Sequence, residues 1–375
     1  MPDSGGEIAA HRFTALDSLR GLCALAVVLF HFKTGGLLSN LPAIRHGWIF
    51  VDFFFVLSGF VLAHAYFGRV GREVSVWRFL GLRLGRIYPL HAAVLAAMVV
   101  LELVKLAMPG LGAREAFGPG RTVPDLIASL LLLHSSGFTR DLVWNVPSWS
   151  IAAEFWAYAA FALLVLTRRI WPFALLAAVS VLTLLAVNPD LYDATYDAGT
   201  IRCFYGFSLG VITWSLRGET DWRPSPMLAA LAELLFVAAV IGFATVVWGG
   251  PRTLAAPILF AGAVFVFADD AGPVSRLLAT RLPVLLGTLS YSIYMIHPLV
   301  QGRVMEALAR FGLARTGVAD SVTATGLTAD AITLVMLVLV IGVAALAYRW
   351  IEKPARDWSR RRLRAPAVEA EAPTF

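Results

Sequence analysis

Ten apolar runs of about bilayer-spanning length follow one another along the chain, separated by short polar connections: 13–33, 47–67, 87–108, 145–167, 171–187, 201–216, 226–248, 253–268, 284–302 and 328–350. An eleventh apolar stretch, 124–138 ("PDLIASLLLLHSSGF"), is shorter, and is either a span or a re-entrant or interfacial helix. The pattern predicts an all-α fold, a polytopic transmembrane bundle of about ten spanning helices. The first run, "RGLCALAVVLFHF" from Arg20 to Phe32, carries an arginine at its start and a histidine near its end. Lipid tolerates neither group without a reason.

Composition sharpens this picture. Hydrophobic residues make up 58% of the chain and charged residues 15%, where soluble domains average about half and about a quarter. The first run lacks a small-residue cleavage site and many spans follow it, so it reads as a retained helix and not as a signal peptide. The net charge of +6 calls for no nucleic-acid partner, because membrane proteins gather Lys and Arg in cytoplasmic connections. The same bias orients the chain. With ten spans and the N-terminus inside, the inner side receives Arg12, Arg69, Arg72, Arg78, Arg83, Arg86, Arg168, Arg169, Arg217, Arg223, Arg276, Arg281 and the basic C-terminal segment through Arg364. The loop 188–199, with three Asp and no Lys or Arg, falls outside. A crossing by 124–138 would reverse every later connection, so ten spans with both termini cytoplasmic are expected. The expected organisation is a cytoplasmic segment 1–12, one membrane unit 13–357 and a disordered cytoplasmic tail 358–375. Cys23 and Cys203 lie in apolar runs and read as small core residues. The oligomeric state is not legible.

An ionisable group at mid-membrane costs roughly 2.5–3.5 kcal/mol on insertion scales, and so selects the residues worth weighing. Arg20 and His31 are eleven positions apart, almost three helical turns, which puts both on one face about 16 Å apart along the axis. They serve either as two interfacial anchors or as two chemical groups at two depths. Asp52 opens the second run, near the expected level of His31. It suits a helix N-cap and also the fixing of a histidine tautomer. In "VPSWSIAAEFWAY", Ser150 and Glu154 share a face, and Glu154 calls for a use or for a partner such as Arg202. Asn145, Ser148 and Trp149 lie just above and are candidates to contact a polar ligand. "RLGR", Arg83 to Arg86, precedes the third run. Two guanidinium forks on one face suit either lipid headgroups or the phosphates of a nucleotide-bearing substrate. His297, before Pro298, ends a stripe with Tyr291 and Tyr294. No HExxH, cysteine cluster, carboxylate spacing, Walker loop or dinucleotide fingerprint is present, so no metal or permanently bound cofactor is expected.

Taken in order, "LDSLRGLCALAVVLFHF", "VDFFFVLSGFVLA", "FLGLRLGRIYPLH", "VPSWSIAAEFWAY", "RCFYGFSLGV", "LGTLSYSIYMIHP" and "YRWIEKPAR" resemble acyltransferase family 3, the integral membrane O-acyltransferases, over about residues 13 to 357. The resemblance implies a ten-helix bundle, commonly in a bacterial inner membrane. It moves an acyl group, often acetyl from acetyl-CoA, onto hydroxyls of carbohydrate or glycosylated acceptors. The family's Arg–ten residues–His motif falls on Arg20 and His31, its Arg-x-x-Arg motif on Arg83 and Arg86, and its SWS stretch on Ser148, Trp149, Ser150 and the acidic Glu154. The terminal Glu-x-Pro falls on Glu352 and Pro354 and reads as structural.

The resemblance then assigns expectations. Arg20, Arg83 and Arg86 would bind acyl-CoA as co-substrate. His31 would act on the acceptor hydroxyl, directly or through an acyl-histidine, with Asp52 or Glu154 orienting its ring. Asn145, Ser148, Trp149, Ser150 and His297 would hold the acceptor. Membrane lipids and the two substrates are the expected partners. The rival reading is a transporter of a small polar substrate using the same buried groups, against which the absence of an inverted repeat counts mildly.

Overall fold

The computed structural model describes residues 13–108, 116–220, 222, 224–247, 249–315 and 321–363. Segment 1–12, the end of the tail from 364, and Arg12, Arg223 and Arg364 lie outside the described residues. The fold is an all-α bundle: α1 (Thr14–His31), α2 (Phe50–Tyr66), α3 (Val76–Ala107), a short α4 (Val123–Leu130), α5 (Trp149–Leu164), α6 (Trp171–Val187), α7 (Gly199–Glu219), α8 (Pro226–Val246), α9 (Ala256–Phe267), α10 (Arg281–Arg310), α11 (Gly326–Ala347) and α12 (Lys353–Arg362). A two-residue antiparallel ladder, β1 (Ala314–Arg315) with β2 (Ser321–Val322), closes the α10–α11 connection. Eight helices among the described residues are long and apolar enough to cross a membrane. Two more occupy the remaining expected positions: α6, 17 residues and apolar, and α7, 21 residues carrying Arg202, Ser208 and Thr213.

The stretch 124–138 does not form a long helix. Thr122 and Asp125 make a reciprocal capping box that starts α4, and the helix ends after eight residues, about 12 Å. Leu132 then takes φ +56°, which breaks the run. Two boundaries differ from the sequence expectation. Helix α3 starts at Val76, where Ser75 caps the amide of Arg78, so Arg83 and Arg86 lie inside the helix and not before it. The arginines at 78, 83 and 86 therefore belong to its first three turns. Helix α12 carries the chain to Arg362, past the point where disorder was expected, because Ser359 packs against Gly85 of α3.

Helix surfaces divide as a membrane bundle requires. Leu175, Leu182, Leu235 and Val338 are exposed on the outer faces. Small and polar residues turn inward, which lets backbones approach closely. The closest approach that matters for the site joins α1 to α10. A Cβ on Gly287 would overlap the Asp17 carbonyl, and one on Gly21 would overlap the Gly287 amide. The two helices run parallel, since Asp17 and Gly21 meet Gly287 at one end while Val28 and His31 meet Gln301 and His297 at the other. Helix α2 runs back against α1, with Gly47 beside Ala26 and Phe60 beside Phe13.

Candidate active site

Polar residues inside the bundle gather at two ends, joined by α1 and α10. At the first end a cavity of about 580 Å³ lies among α1, α2, α3, α5 and α10. Arg20, Arg83, Arg86 and Arg356 face it, against Asp17, Glu154 and Glu352. Arg20 is fixed: its Nε donates to Ser290 Oγ at 2.8 Å, Nη2 donates to the Gly287 carbonyl at 3.1 Å, and Asp17 lies 3.3 Å away. Arg83 donates to the Tyr66 hydroxyl at 3.1 Å, its guanidinium 5.2 Å from that ring's centre. Arg86 makes no hydrogen bond or ion pair with the described residues. It is therefore the cavity's most available anion-binding fork. Helix position explains the grouping, because residues three apart on α3 present both arginines to one side.

The inner wall of this cavity is Tyr294, Ser150 and Phe54. The Tyr294 hydroxyl lies 2.8 Å from Ser150 Oγ, and both reach the Pro147 carbonyl, at 3.1 and 3.0 Å. Behind Tyr294 stands His297, ring centres 5.9 Å apart, and behind His297 stands His31, at 5.1 Å.

The His297–His31 pair has a definite proton arrangement, and the sequence explains it. Pro298 lies inside α10 and has no amide hydrogen, so the carbonyl of Tyr294, four residues back, loses its helical donor. His297 Nδ1 takes that place at 2.7 Å. A carbonyl only accepts, so Nδ1 of His297 carries the proton and its Nε2 is an acceptor in the neutral ring. His31 Nδ1 faces the Val27 carbonyl at 3.0 Å and His297 Nε2 at 3.3 Å, and so donates to both. The lone pair of His31 is thereby left on Nε2, and His31 is exposed at the end of α1. The eleven-residue spacing does place Arg20 and His31 on a common face, the one turned to α10.

The structure corrects the geometry expected around His31. Asp52 is fully buried and gives both carboxylate oxygens to Arg202, at 2.9 and 2.7 Å; it does not orient the histidine. Arg202 also donates to the Leu191 carbonyl and lies between Trp48 and Trp149. The partner foreseen for Glu154 is thus taken by Asp52. Glu154 belongs to the arginine cavity, not to the level of His31, and accepts from Ser58 Oγ at 2.6 Å and from Tyr158.

The residues expected to hold an acceptor also separate. Asn145 is buried and donates to the Met295 carbonyl, Ser148 is buried 2.9 Å from His134, and Trp149 is buried under Arg202. They pack the walls. Ser150 lines the arginine cavity, and His297 buttresses His31.

Three contributors were not foreseen. Glu352 was read as structural, yet it sits on the cavity wall, accepting from Ser292 Oγ at 2.7 Å, within a π-turn at Tyr348–Glu352. Such turns often mark functional sites. Ser58 gives no sequence signal beyond a polar residue in an apolar helix. A second cavity, of about 440 Å³, lies at the His31 end between the 33–48 connection and residues 190–192. Among the described residues no group of three His, Cys, Asp or Glu side chains is arranged to hold a metal.

A helical membrane bundle with arginines in a cavity at one end and a histidine pair at the other has the outline of a membrane enzyme. The chain matches the Acyltransferase domain family over residues 13–349 and belongs to it, and is therefore a membrane acyltransferase. Acyltransferase MdmB of Streptomyces mycarofaciens is 27% identical over 325 residues, 77% of this chain and 79% of that protein. Exopolysaccharide production protein ExoZ of Rhizobium meliloti (strain 1021) is 26% identical over 268 residues, 70% of this chain and 79% of that protein. Protein 2 in the picA locus of Rhizobium radiobacter is 34% identical over 160 residues, 40% of this chain and 81% of that protein. No solved structure matches.

Proposed function

We propose that this protein transfers an acyl group, acetyl in the first instance, from acyl-CoA to a hydroxyl of a saccharide acceptor. The observation that carries the reading is the arrangement of the two ends: an arginine fork in a cavity with no side-chain partner among the described residues, joined through Tyr294 and His297 to an imidazole whose lone pair lies on Nε2. Support for a saccharide comes from ExoZ, whose name places it in exopolysaccharide production.

In this reading the arginine end faces the cytoplasm, where positive residues accumulate and CoA is found. The membrane is a bacterial inner membrane with both termini inside. Arg86 and Arg83 meet phosphate oxygens, with Arg20 holding the wall. The thin pantetheine arm passes Tyr294 and Phe54 to bring the thioester near His31. His31 Nε2 accepts the proton of the acceptor hydroxyl as its oxygen attacks the thioester carbonyl. The tetrahedral intermediate collapses with cleavage of the C–S bond. The thiolate leaves and takes the proton back from His31, giving an ester and CoA thiol. His297 acts on His31 and not on substrate: beside the Val27 carbonyl it is the second acceptor for the Nδ1 proton, and so supports the tautomer that presents a lone pair outward, part of the task a carboxylate performs in other triads.

The test uses full-length protein in proteoliposomes with acetyl-CoA and a panel of saccharides. Wild type releases CoA thiol in a saccharide-dependent way. The Arg83→Ala, Arg86→Ala double variant raises the acetyl-CoA KM at least about tenfold, as loss of charge-assisted hydrogen bonds requires. An unchanged KM returns the pair to lipid anchoring.

A further inference from the structure

The second cavity, at the His31 end, has a chemistry of its own. Its volume of about 440 Å³ falls in the range of small-molecule sites. One wall is aromatic. The Tyr192 ring meets Trp48 at 5.4 Å and Phe30 at 6.5 Å, edge to face, and half of Tyr192 is exposed. Phe30 in turn touches the His31 ring, centres 4.9 Å apart. Such a surface suits the C–H face of a sugar ring and ends at the proposed base.

The opposite wall is cationic. Lys33 and Arg45 line the cavity, and neither side chain makes an ion pair or hydrogen bond with the described residues. The one carboxylate on the wall, Asp190, is committed to the backbone, accepting from the Tyr192 amide at 2.9 Å and the Gly250 amide at 2.7 Å. His46 faces the Ala244 carbonyl at 2.8 Å and the Pro42 carbonyl at 3.1 Å. The connection bearing the cations is held in place. Asp330 accepts the amides of Leu37 and Leu38 at 3.1 and 2.9 Å, and Asn40 donates to the carbonyls of Thr34 and Gly36 at 2.8 and 2.7 Å. On the proposed orientation these cations lie on the outer side, where topology does not favour them and where 188–199 is acidic. A ligand accounts for what topology does not.

We infer that this cavity is the acceptor site and that it selects a sugar bearing an anionic group, a carboxylate or a phosphate, held by Lys33 and Arg45 while Tyr192 and Phe30 pack the ring. The inference rests on the reading that His31 is the base toward the acceptor, and it adds the acceptor's charge. An anionic anchor on one side of the ring also fixes which hydroxyl is turned toward Phe30 and His31.

Binding to full-length protein in nanodiscs tests this, with methyl α-glucoside, methyl glucuronide, glucose 1-phosphate and inorganic phosphate as probes. One or both anionic sugars bind at least about tenfold tighter than the neutral glucoside, the scale expected for two partly exposed cations. Inorganic phosphate alone binds more weakly than the anionic sugars. Whether glucuronide or glucose 1-phosphate leads identifies the anion. The Lys33→Ala, Arg45→Ala double variant, which alters only exposed side chains, keeps the neutral affinity and loses the preference. Tyr192→Ala weakens every sugar. Equal affinity for charged and neutral sugars, a preference that survives the double variant, or no binding of any sugar overturns the inference. Charge selection without acyl transfer from acyl-CoA would leave an anionic-sugar site standing and remove the proposed acyl-CoA reaction; transfer without charge selection would do the reverse.

Discussion

At the scale of residues, the account turns on a proline. Pro298 removes one hydrogen bond from α10, and the freed carbonyl of Tyr294 sets the proton of His297, which in turn receives the proton of His31. Pro298→Ala restores an amide that competes for that carbonyl. It should lower kcat severalfold while leaving the acyl-CoA KM in place and the helix no less stable. His297→Ala should cost more, about 10- to 100-fold in kcat, less than the roughly 10²- to 10⁴-fold of the acid–base group it supports. A merely structural histidine would not move a second readout, the two-bond ¹H–¹⁵N spectrum of labelled His31. Wild type should show the Nδ1–H form, and His297→Ala, which leaves the Val27 carbonyl alone to hold that proton, a measurable share of the other tautomer. A single unchanged tautomer would remove His297 from the mechanism. The sequence singled out His297 as an acceptor-binding candidate in a stripe with Tyr291 and Tyr294, but gave no sign of its partner. The pairing of His31 with His297 spans 266 positions.

At the scale of elements, the buried Asp52–Arg202 pair ties α2 to α7. Removing one partner of a buried pair strands the other, at a cost of roughly 3–5 kcal/mol, whereas replacing both by apolar residues is often neutral. Asp52→Asn alone should lower the thermal midpoint in detergent, and Asp52→Val with Arg202→Met should recover most of it together with activity. A double variant that is stable and inactive would return Asp52 to the chemistry. The α1–α10 contact is equally exacting. Gly287→Leu should separate the helices, pull Arg20 from Ser290 and destabilise by roughly 1–3 kcal/mol, read from thermal unfolding. The helices themselves were largely visible in the apolar runs, and so was the shared face of Arg20 and His31, because helical period is a local property. What could not be read was partner choice. Asp52 was expected beside His31 from its place at a helix start, but the guanidinium of α7 takes it. Arg202 looked from the sequence like a partner for Glu154, whose acceptor sites are filled instead by Ser58 and Tyr158. Helix α3 begins earlier than its apolar run because Ser75 caps it. That shift turned a motif expected at a membrane surface into two arginines inside a cavity wall.

At the scale of the whole molecule, the two cavities face opposite ends, and the proposed orientation, taken from charge bias, puts the arginine cavity inside. The native Cys23 and Cys203 are buried, so introduced cysteines report cleanly. With Asp193→Cys, a membrane-impermeant maleimide should label intact cells. With Arg168→Cys it should label only after permeabilisation. The opposite pattern would invert the bundle and place CoA at the wrong cavity. The two cavities share no lining residue, and Tyr294 with His297 stands between the first cavity and His31. An acyl group carried from one end to the other must therefore pass that aromatic barrier, which gives the bundle a way to move the group across without opening a pore.

The most direct measurement of the central claim compares cells lacking the gene and complemented with wild type or His31→Ala, at matched membrane levels. Mass spectrometry of their surface polysaccharides reads acyl esters on the native acceptor, while purified protein reads acetyl-CoA binding. Esters are expected in the wild-type strain, with a loss of about 10²- to 10⁴-fold in transfer with His31→Ala and acetyl-CoA affinity unchanged in the variant. Wild-type levels of acyl ester from the His31→Ala strain would contradict that claim.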